Sequence, residues 1–304
     1  MDTKKINLEK IPQELKERYQ YISQIDYGLL KINCLEEMNK NPLPVCSGKD
    51  SSSYEVFANE FNAIMLTAHV FENLLIFEDR RCELDGYNDF QIKIPEMYFQ
   101  HPSLNKKPSI SDKDARAISE VVDRTKLKLN YSKDQSFVLS QLYKLEFISV
   151  FSHLEVYFES LLVEFLQIDK NKAAARVRRE SLPVLMIDVF TKIDPSIINA
   201  INYFDDEALS FLKFCHKLRN LHTHNLGIAN EYFYNECLKE NFLAHDIYTE
   251  TSEPVLDYAK LNFKYSSYVI KVGRAVNLAS ISQIFRLLSR EIVYISEVFC
   301  KQKM

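Results

Sequence analysis

The sequence predicts an all-α fold, with a helical bundle in the C-terminal half, a mainly helical N-terminal region and minor β content. Three observations support this prediction. The 304 residues include only 5 glycines and 9 prolines, whereas β-rich and nucleotide-binding α/β folds use glycine in tight turns and phosphate loops. Apolar residues recur every three or four positions in several long segments, which is typical of helices with one buried face. The sequence contains no repeat of fixed period, so a solenoid is not expected.

The composition is that of an ordinary folded protein. Apolar residues make up 46% of the chain and charged residues 26%, which excludes a wholly disordered or membrane-embedded chain. The net charge of −4 combines 38 basic and 42 acidic residues, so the total charge identifies no partner. The six cysteines stand singly, and residues 1–20 lack the pattern of a secretion signal. We therefore expect reduced thiols in a cytoplasmic protein that does not cross a membrane.

The first 130 residues are predicted to form a helical region of unknown role. A segment rich in lysine and glutamate extends to about residue 40 and ends at the Pro and Gly breakers of residues 41–50. A long core helix is predicted over 54–80, because its apolar residues follow a helical period. The serines at 51–53 are suitable caps for its first turn.

The minor β content is predicted in the second part of this region. Residues 82–111 contain Gly86 and several prolines and are expected to form a loop. Within it, residues 90–94 alternate between apolar and polar, as a short strand does. A charged helix is then expected over 111–129.

Residues 131–304 are predicted to form the second domain, a helical bundle. Its most regular feature is a stripe of large apolar residues spaced alternately four and three apart, as in a helix that packs on another helix. This apolar stripe consists of Phe147, Phe151, Leu154, Phe158, Leu161 and Phe165.

Further helices are expected along this domain. One is predicted around 183–190, and another follows Asp194-Pro195, a cap with a first-turn proline. A helix over 206–225 is expected to end at Gly227. The chain is then expected to continue through an irregular connection and a strand over 268–272 to a final helix capped by Asn277. The apolar face of that final helix comprises Ile281, Ile284, Phe285, Leu288, Ile292, Ile295 and Phe299.

Three of the seven histidines lie within nine residues at the end of the helix predicted over 206–225. There Arg219, Asn220 and His224 form the pattern R-N-x-x-x-H. The motif lies late in an amphipathic helix, after an aromatic-rich helix and before a long terminal one. In these respects residues 131–304 resemble the HEPN family (higher eukaryotes and prokaryotes nucleotide-binding domain), whereas the first 130 residues are not covered.

The resemblance implies a metal-independent endoribonuclease, such as a toxin or antiphage-defence effector, whose active site forms across a homodimer. His224 would act as base, with the second copy of His224 as acid, and RNA cleavage would pass through a 2′,3′-cyclic phosphate. Arg219 would hold the phosphorane oxygens. Asn220 would fix the His224 tautomer or the helix end, and Glu155 would orient His224 or Arg219. Arg219 and His224 point about 140° apart on an ideal helix.

No cofactor is expected, and no metal site either. His216, Asn220 and His224 form a row at four-residue spacing, but no carboxylate or cysteine completes a ligand set. His216 and His222 are therefore expected to be supporting or surface residues. Two basic clusters are candidates for RNA backbone binding. The first consists of Lys170, Lys172, Arg176, Arg178 and Arg179, and the second of Lys106, Lys107, Lys113, Arg116, Arg124, Lys126 and Lys128.

The alternative is a non-catalytic HEPN protein that serves as a dimerisation, nucleotide-binding or scaffold module. A homodimer through the C-terminal half is expected in either case, because the apolar stripe and the final helix carry many large apolar residues. A trigger or neutralising partner of unknown identity is also possible. Leu226 occupies the position at which one branch of the family carries an adenylylated tyrosine, so that form of regulation is not expected.

Overall fold

A computed structural model describes residues 6–22, 42–85, 89–92, 120–123, 137–240, 242–245, 254–256 and 270–304. These residues are predominantly helical, which confirms the predicted all-α class. Contacts group Met1–Met65 with Lys144–Met304 in one compact unit, and Leu66–Tyr143 forms a second. None of the helices in the described part of the chain has the combined length and hydropathy that crossing a bilayer requires.

Among its described residues, the N-terminal region contributes a short 3-10 turn at Leu8–Lys10 and two helices, α1 (Gln13–Tyr19) and α2 (Ser52–Asp85). The helix predicted over 54–80 is confirmed and is longer at both ends. The Ser51 hydroxyl accepts a hydrogen bond from the Tyr54 N–H at 3.2 Å, so a serine caps the first turn as predicted.

Four short strands in the described part of the chain form two antiparallel pairs. Strand β1 (Asp89–Ile92) pairs with β2 (Glu120–Asp123), with Phe90 opposite Val122. Strand β3 (Leu243–His245) pairs with β4 (Pro254–Leu256). The helix predicted over 111–129 is therefore wrong at β2, where the adjacent β-branched Val121 and Val122 favour an extended backbone. The rest of that predicted helix lies outside the described residues.

The C-terminal half contains seven helices within the described residues. The helix with the apolar stripe is confirmed as α3, and the predicted helices near 183–190, after Asp194 and before Gly227 are confirmed as α5, α6 and α7. The bounds are α3 (Phe137–Glu164), α4 (Lys170–Arg179), α5 (Leu182–Ile193), α6 (Pro195–Phe204), α7 (Ala208–His224), α8 (Glu231–Lys239) and α9 (Ala279–Cys300).

Three local predictions in this half were wrong. The connection expected to be irregular contains α8, whose start is capped by the Asn230 side chain accepting from the Phe233 N–H at 2.8 Å. The strand expected over 268–272 is absent from its described part, 270–272, which is irregular and leads into a turn at Val272 and Gly273. Helix α9 begins at Ala279 with Leu278 as its N-cap residue, one position after the predicted cap Asn277.

The core of the first unit lies around α3 and α9. Five of the six stripe residues are fully buried, and Phe165, just beyond the end of α3, is half-buried. The rings of Phe147 and Phe151 pack on Phe285 of α9 at 5.0 and 5.6 Å between centroids. The predicted apolar face of α9 is also buried. These side chains are therefore hidden within a single chain, and the homodimer remains a prediction.

Residues near the N-terminus pack against the C-terminal helices. Arg18 of α1 forms a two-pronged ion pair with the buried Glu291 of α9, at 2.9 Å for both contacts. The neighbouring Tyr19 donates to the same carboxylate and packs on Phe204 of α6 at 4.9 Å. Helix α1 thus belongs to the same unit as the bundle. The predicted domain boundary at residues 130 and 131 lies outside the described residues.

Candidate active site on the motif helix

The R-N-x-x-x-H motif occupies the last two turns of α7. One face of this helix is buried through Phe211, Phe214, Leu218 and Leu221, which leaves the motif side chains along its margin. The helix ends as predicted at Gly227, which has a φ of +79°. The Gly227 N–H donates to the Leu221 carbonyl at 3.1 Å, so the chain reverses immediately after His224.

Arg219 is held by two oxygen acceptors. Its Nη2 donates to Oε2 of Glu155 on α3 at 3.3 Å, and its Nη1 donates to Oδ1 of Asn220 at 3.2 Å. The guanidinium also lies over the ring of Phe151, 5.6 Å from the centroid. Burial raises the pKa of Glu155, and the charge of Arg219 opposes that shift. Of the two partners considered for Glu155, the structure places Arg219 next to it.

Asn220 connects Arg219 to His216. Its Nδ2 lies 3.3 Å from His216 Nε2. The His216 imidazole is half-buried and packs against Phe151 at 5.9 Å between centroids. Burial lowers the pKa of His216, and the charges of Arg219 and Lys217 lower it further. His216, Arg219 and Asn220 therefore form one polar cluster that packs against α3.

His224 lies apart from this cluster. Its side chain is exposed, and within the described part of the chain it makes no hydrogen bond or ion pair. The adjacent Thr223 hydroxyl donates back to the Arg219 carbonyl at 2.8 Å, and α7 continues to His224. In the described part of the chain, neither a hydrogen bond nor a cation–π contact joins Arg219 to His224.

His222 is a buried residue, not a surface one. It is only 7% exposed, and neither ring nitrogen makes a hydrogen bond with a described residue. Burial lowers its pKa to about 4, Lys144 adds to this shift, and the Val276 backbone acts in the opposite direction. The imidazole packs so closely on Gly227 that a Cβ there would lie 2.4 Å from His222 Cε1. His222 thus packs inside the turn that follows the motif.

The first basic cluster lies on α4, whose N-terminus is capped by Asp169. Lys170, Lys172, Arg178 and Arg179 are exposed. In contrast, Arg176 is half-buried and bonds to Glu180 at 3.0 Å and to Asp188 at 2.6 Å, so its charge is neutralised within the fold. All seven residues of the second basic cluster lie outside the described residues.

Sequence reasoning missed two features of the site. Phe151 was assigned only to the core, yet its ring contacts both Arg219 and His216. The position of Phe151, four residues before Glu155, was the available signal, because residues four apart share a helix face. Lys217 was not singled out either, and its ion pair with Glu236 at 2.9 Å joins α7 to α8.

No cluster of three or more potential metal ligands occurs among the described residues. Comparison of the chain with protein-family models, with curated proteins and with solved structures gives no match. The site is therefore interpreted from its own geometry and from the motif.

Proposed function

We propose that this protein is a metal-independent endoribonuclease of the HEPN type, acting as a toxin or antiphage-defence effector. The observation that carries the proposal is that the Arg219 guanidinium is held in place and is also partly exposed. Its side chain is 27% exposed, so it is both oriented by Glu155 and Asn220 and open to solvent. A guanidinium has five N–H donors, and these two contacts leave one N–H on each terminal nitrogen for the non-bridging oxygens of a phosphate.

The exposed His224 suits the proton transfers of such a reaction. RNA cleavage by its own 2′-hydroxyl requires a base near neutral pH and an acid for the 5′-oxygen. An exposed imidazole at the end of a helix is accessible to a large substrate. The permanently charged Arg219 would stabilise the additional negative charge of the phosphorane.

A homodimer would complete this site. Arg219 and His224 share no hydrogen bond among the described residues, and on a regular helix their directions differ by about 140°, so a second copy of the motif is the proposed source of the missing group. The exposed apolar residues Leu145, Val156 and Val163 on α3 are available to such an interface.

The four exposed cations of α4 are proposed to bind the RNA backbone. Phosphate contacts supply most sequence-independent affinity for nucleic acids, and these side chains have few partners in the fold.

A second candidate function is a non-catalytic scaffold or nucleotide-binding module. It is favoured by the contact between Arg219 and Glu155, because an arginine paired with a carboxylate often serves only to join two helices. In this case Arg219 would stabilise the packing of α7 on α3, and His224 would have no chemical role.

The deciding experiment is incubation of the purified full chain with a mixed RNA pool in EDTA. The proposal expects cleavage that leaves 2′,3′-cyclic phosphate or 3′-phosphate ends and does not act on DNA. The variants Arg219→Ala and His224→Ala should each lose activity by 10²–10⁴-fold. Lys213→Ala is the matched control, because Lys213 is an exposed residue of the same helix. Intact RNA, or cleavage that survives His224→Ala, would favour the scaffold.

A further inference from the structure

We infer that His216 is a positioning residue, which fixes the orientation of the Asn220 amide and through it the guanidinium of Arg219. This inference rests on the proposed function only for its consequence in catalysis. The arrangement itself involves Glu155, Arg219, Asn220 and His216.

Only one assignment of donors and acceptors satisfies the contacts among Arg219, Asn220 and His216. Arg219 is always a donor, so the Asn220 atom that faces it at 3.2 Å must be the oxygen Oδ1. The Asn220 nitrogen then faces His216 Nε2 at 3.3 Å. Since that nitrogen can only donate, Nε2 must accept and the proton of a neutral His216 resides on Nδ1.

Helix geometry explains why these side chains meet. Residues 216, 219 and 220 are separated by three and four positions, so they lie on one face of α7. That face packs on α3, where Phe151 contacts both the imidazole and the guanidinium and Glu155 binds the second terminal nitrogen of Arg219. The guanidinium is thus held from both sides.

The arrangement requires an uncharged His216. A protonated imidazole has donors on both nitrogens, so the Asn220 amide would have to turn its oxygen towards His216 and its nitrogen towards Arg219. Two donors would then oppose each other. The charged groups that act on His216 are Lys217 and Arg219 on its own helix, and Glu155 on α3 reaches the same cluster. Burial and the two cations favour the neutral form at neutral pH.

The test uses two substitutions of His216 in the full chain. Glutamine places an amide oxygen near the position of Nε2, so it retains an acceptor that does not titrate. Phenylalanine retains a ring against Phe151 and removes the acceptor. The first readout is the NMR spectrum of protein labelled with ¹⁵N-arginine and ¹⁵N-asparagine, which reports on the Arg219 guanidinium and the Asn220 amide without any RNA.

We expect His216→Gln to preserve the Arg219 and Asn220 signals down to a lower pH than in the wild type. His216→Phe should shift both signals at every pH. Should His216→Phe fail to fold, His216→Leu removes the same acceptor and should shift the Arg219 signal. An Arg219 signal that is unchanged in the folded variant without the acceptor, or that His216→Gln alters as much as that variant does, would overturn the inference.

RNA cleavage is the second readout. His216→Phe should lower kcat about tenfold, the usual effect of losing one supporting hydrogen bond, and His216→Gln should restore most of the loss and flatten the acid limb of the pH profile. If the NMR result is as expected but no variant cleaves RNA, the proposed function fails and the positioning role stands. If the wild type cleaves RNA and His216→Phe does so equally well, the positioning role fails alone.

Discussion

Oε2 of Glu155 on α3 lies 3.3 Å from Nη2 of Arg219 on α7, and the two residues are 64 positions apart in the sequence. The two side chains are 22% and 27% exposed. Half-exposed ion pairs of this kind contribute less than about 1 kcal/mol to stability. The contact therefore matters more for the orientation of Arg219 than for the free energy of folding.

Replacing Glu155 by glutamine should separate these two effects. The amide retains the size of the side chain but not its charge, so we expect RNA cleavage to fall about tenfold while the free energy of unfolding changes by less than about 1 kcal/mol. Cleavage assays and urea denaturation measure the two quantities. Glu159→Gln, one turn further along α3, is the control. Equal losses of activity in both variants would contradict the prediction.

Gly227 is expected to be far less tolerant of substitution than Gly273. Both have a φ of +79°, but a Cβ at Gly227 would lie 2.4 Å from His222 Cε1, whereas nothing lies within 4 Å at Gly273. Gly273→Ala should cost about 1 kcal/mol for the backbone alone. Gly227→Ala should cost about 1–3 kcal/mol more, because the buried imidazole must move. Urea denaturation of the two variants tests this difference.

These examples show which features the sequence could predict. The apolar stripe and the turn at Gly227 follow from local patterns, since spacing sets a helix face and a glycine ends a helix. The burial of His222 could not be predicted, because it depends on the pairing of Ile228 with Ala275 beyond the helix end. Likewise, the sequence does not show that the charge of Arg176 is neutralised, because its ion pair with Asp188 depends on how α4 packs against α5.

Stability should decrease in mild acid because of His222. Its pKa is about 4 in the folded protein and close to 6.5 when unfolded, so the unfolded state binds more protons between these values. The free energy of unfolding should therefore be highest above pH 6.5 and fall as the pH decreases towards 4, by on the order of 3 kcal/mol from this residue.

The test compares urea midpoints at pH 7 and pH 5 for the wild type and for His222→Leu. Leucine is apolar and cannot bind a proton, so the variant should lose less stability than the wild type on going to pH 5. His216, whose pKa is also lowered by burial, contributes the same trend in both proteins and cancels. An identical decrease in the two proteins would show that His222 does not titrate as inferred.

The bundle should depend on the N-terminal helix α1. Glu291 is fully buried, and Arg18 supplies two of its contacts at 2.9 Å. Arg18→Ala leaves a buried carboxylate with Tyr19 and Arg290 as its remaining neighbours, which should cost at least ~2 kcal/mol. A fragment of residues 131–304 lacks α1 altogether and should be less stable than the full chain. Thermal unfolding of Arg18→Ala and of this fragment, with Glu17→Ala as the control at an exposed residue of α1, would show whether α1 supports the bundle.

Finally, cleavage should depend on the concentration of the protein itself. Arg219 and His224 share no hydrogen bond among the described residues, and on a regular helix their directions differ by about 140°, so we expect that a single α7 does not present both groups to one phosphate. If a second copy completes the site, activity per chain should fall on dilution in parallel with the dimer fraction measured by sedimentation.

Leu145→Glu and Val156→Glu, placed on the exposed side of α3, should weaken the dimer and reduce cleavage together, because each buries a charge in an apolar interface. A chain that sediments as a monomer and retains full activity on dilution would show instead that one α7 is sufficient.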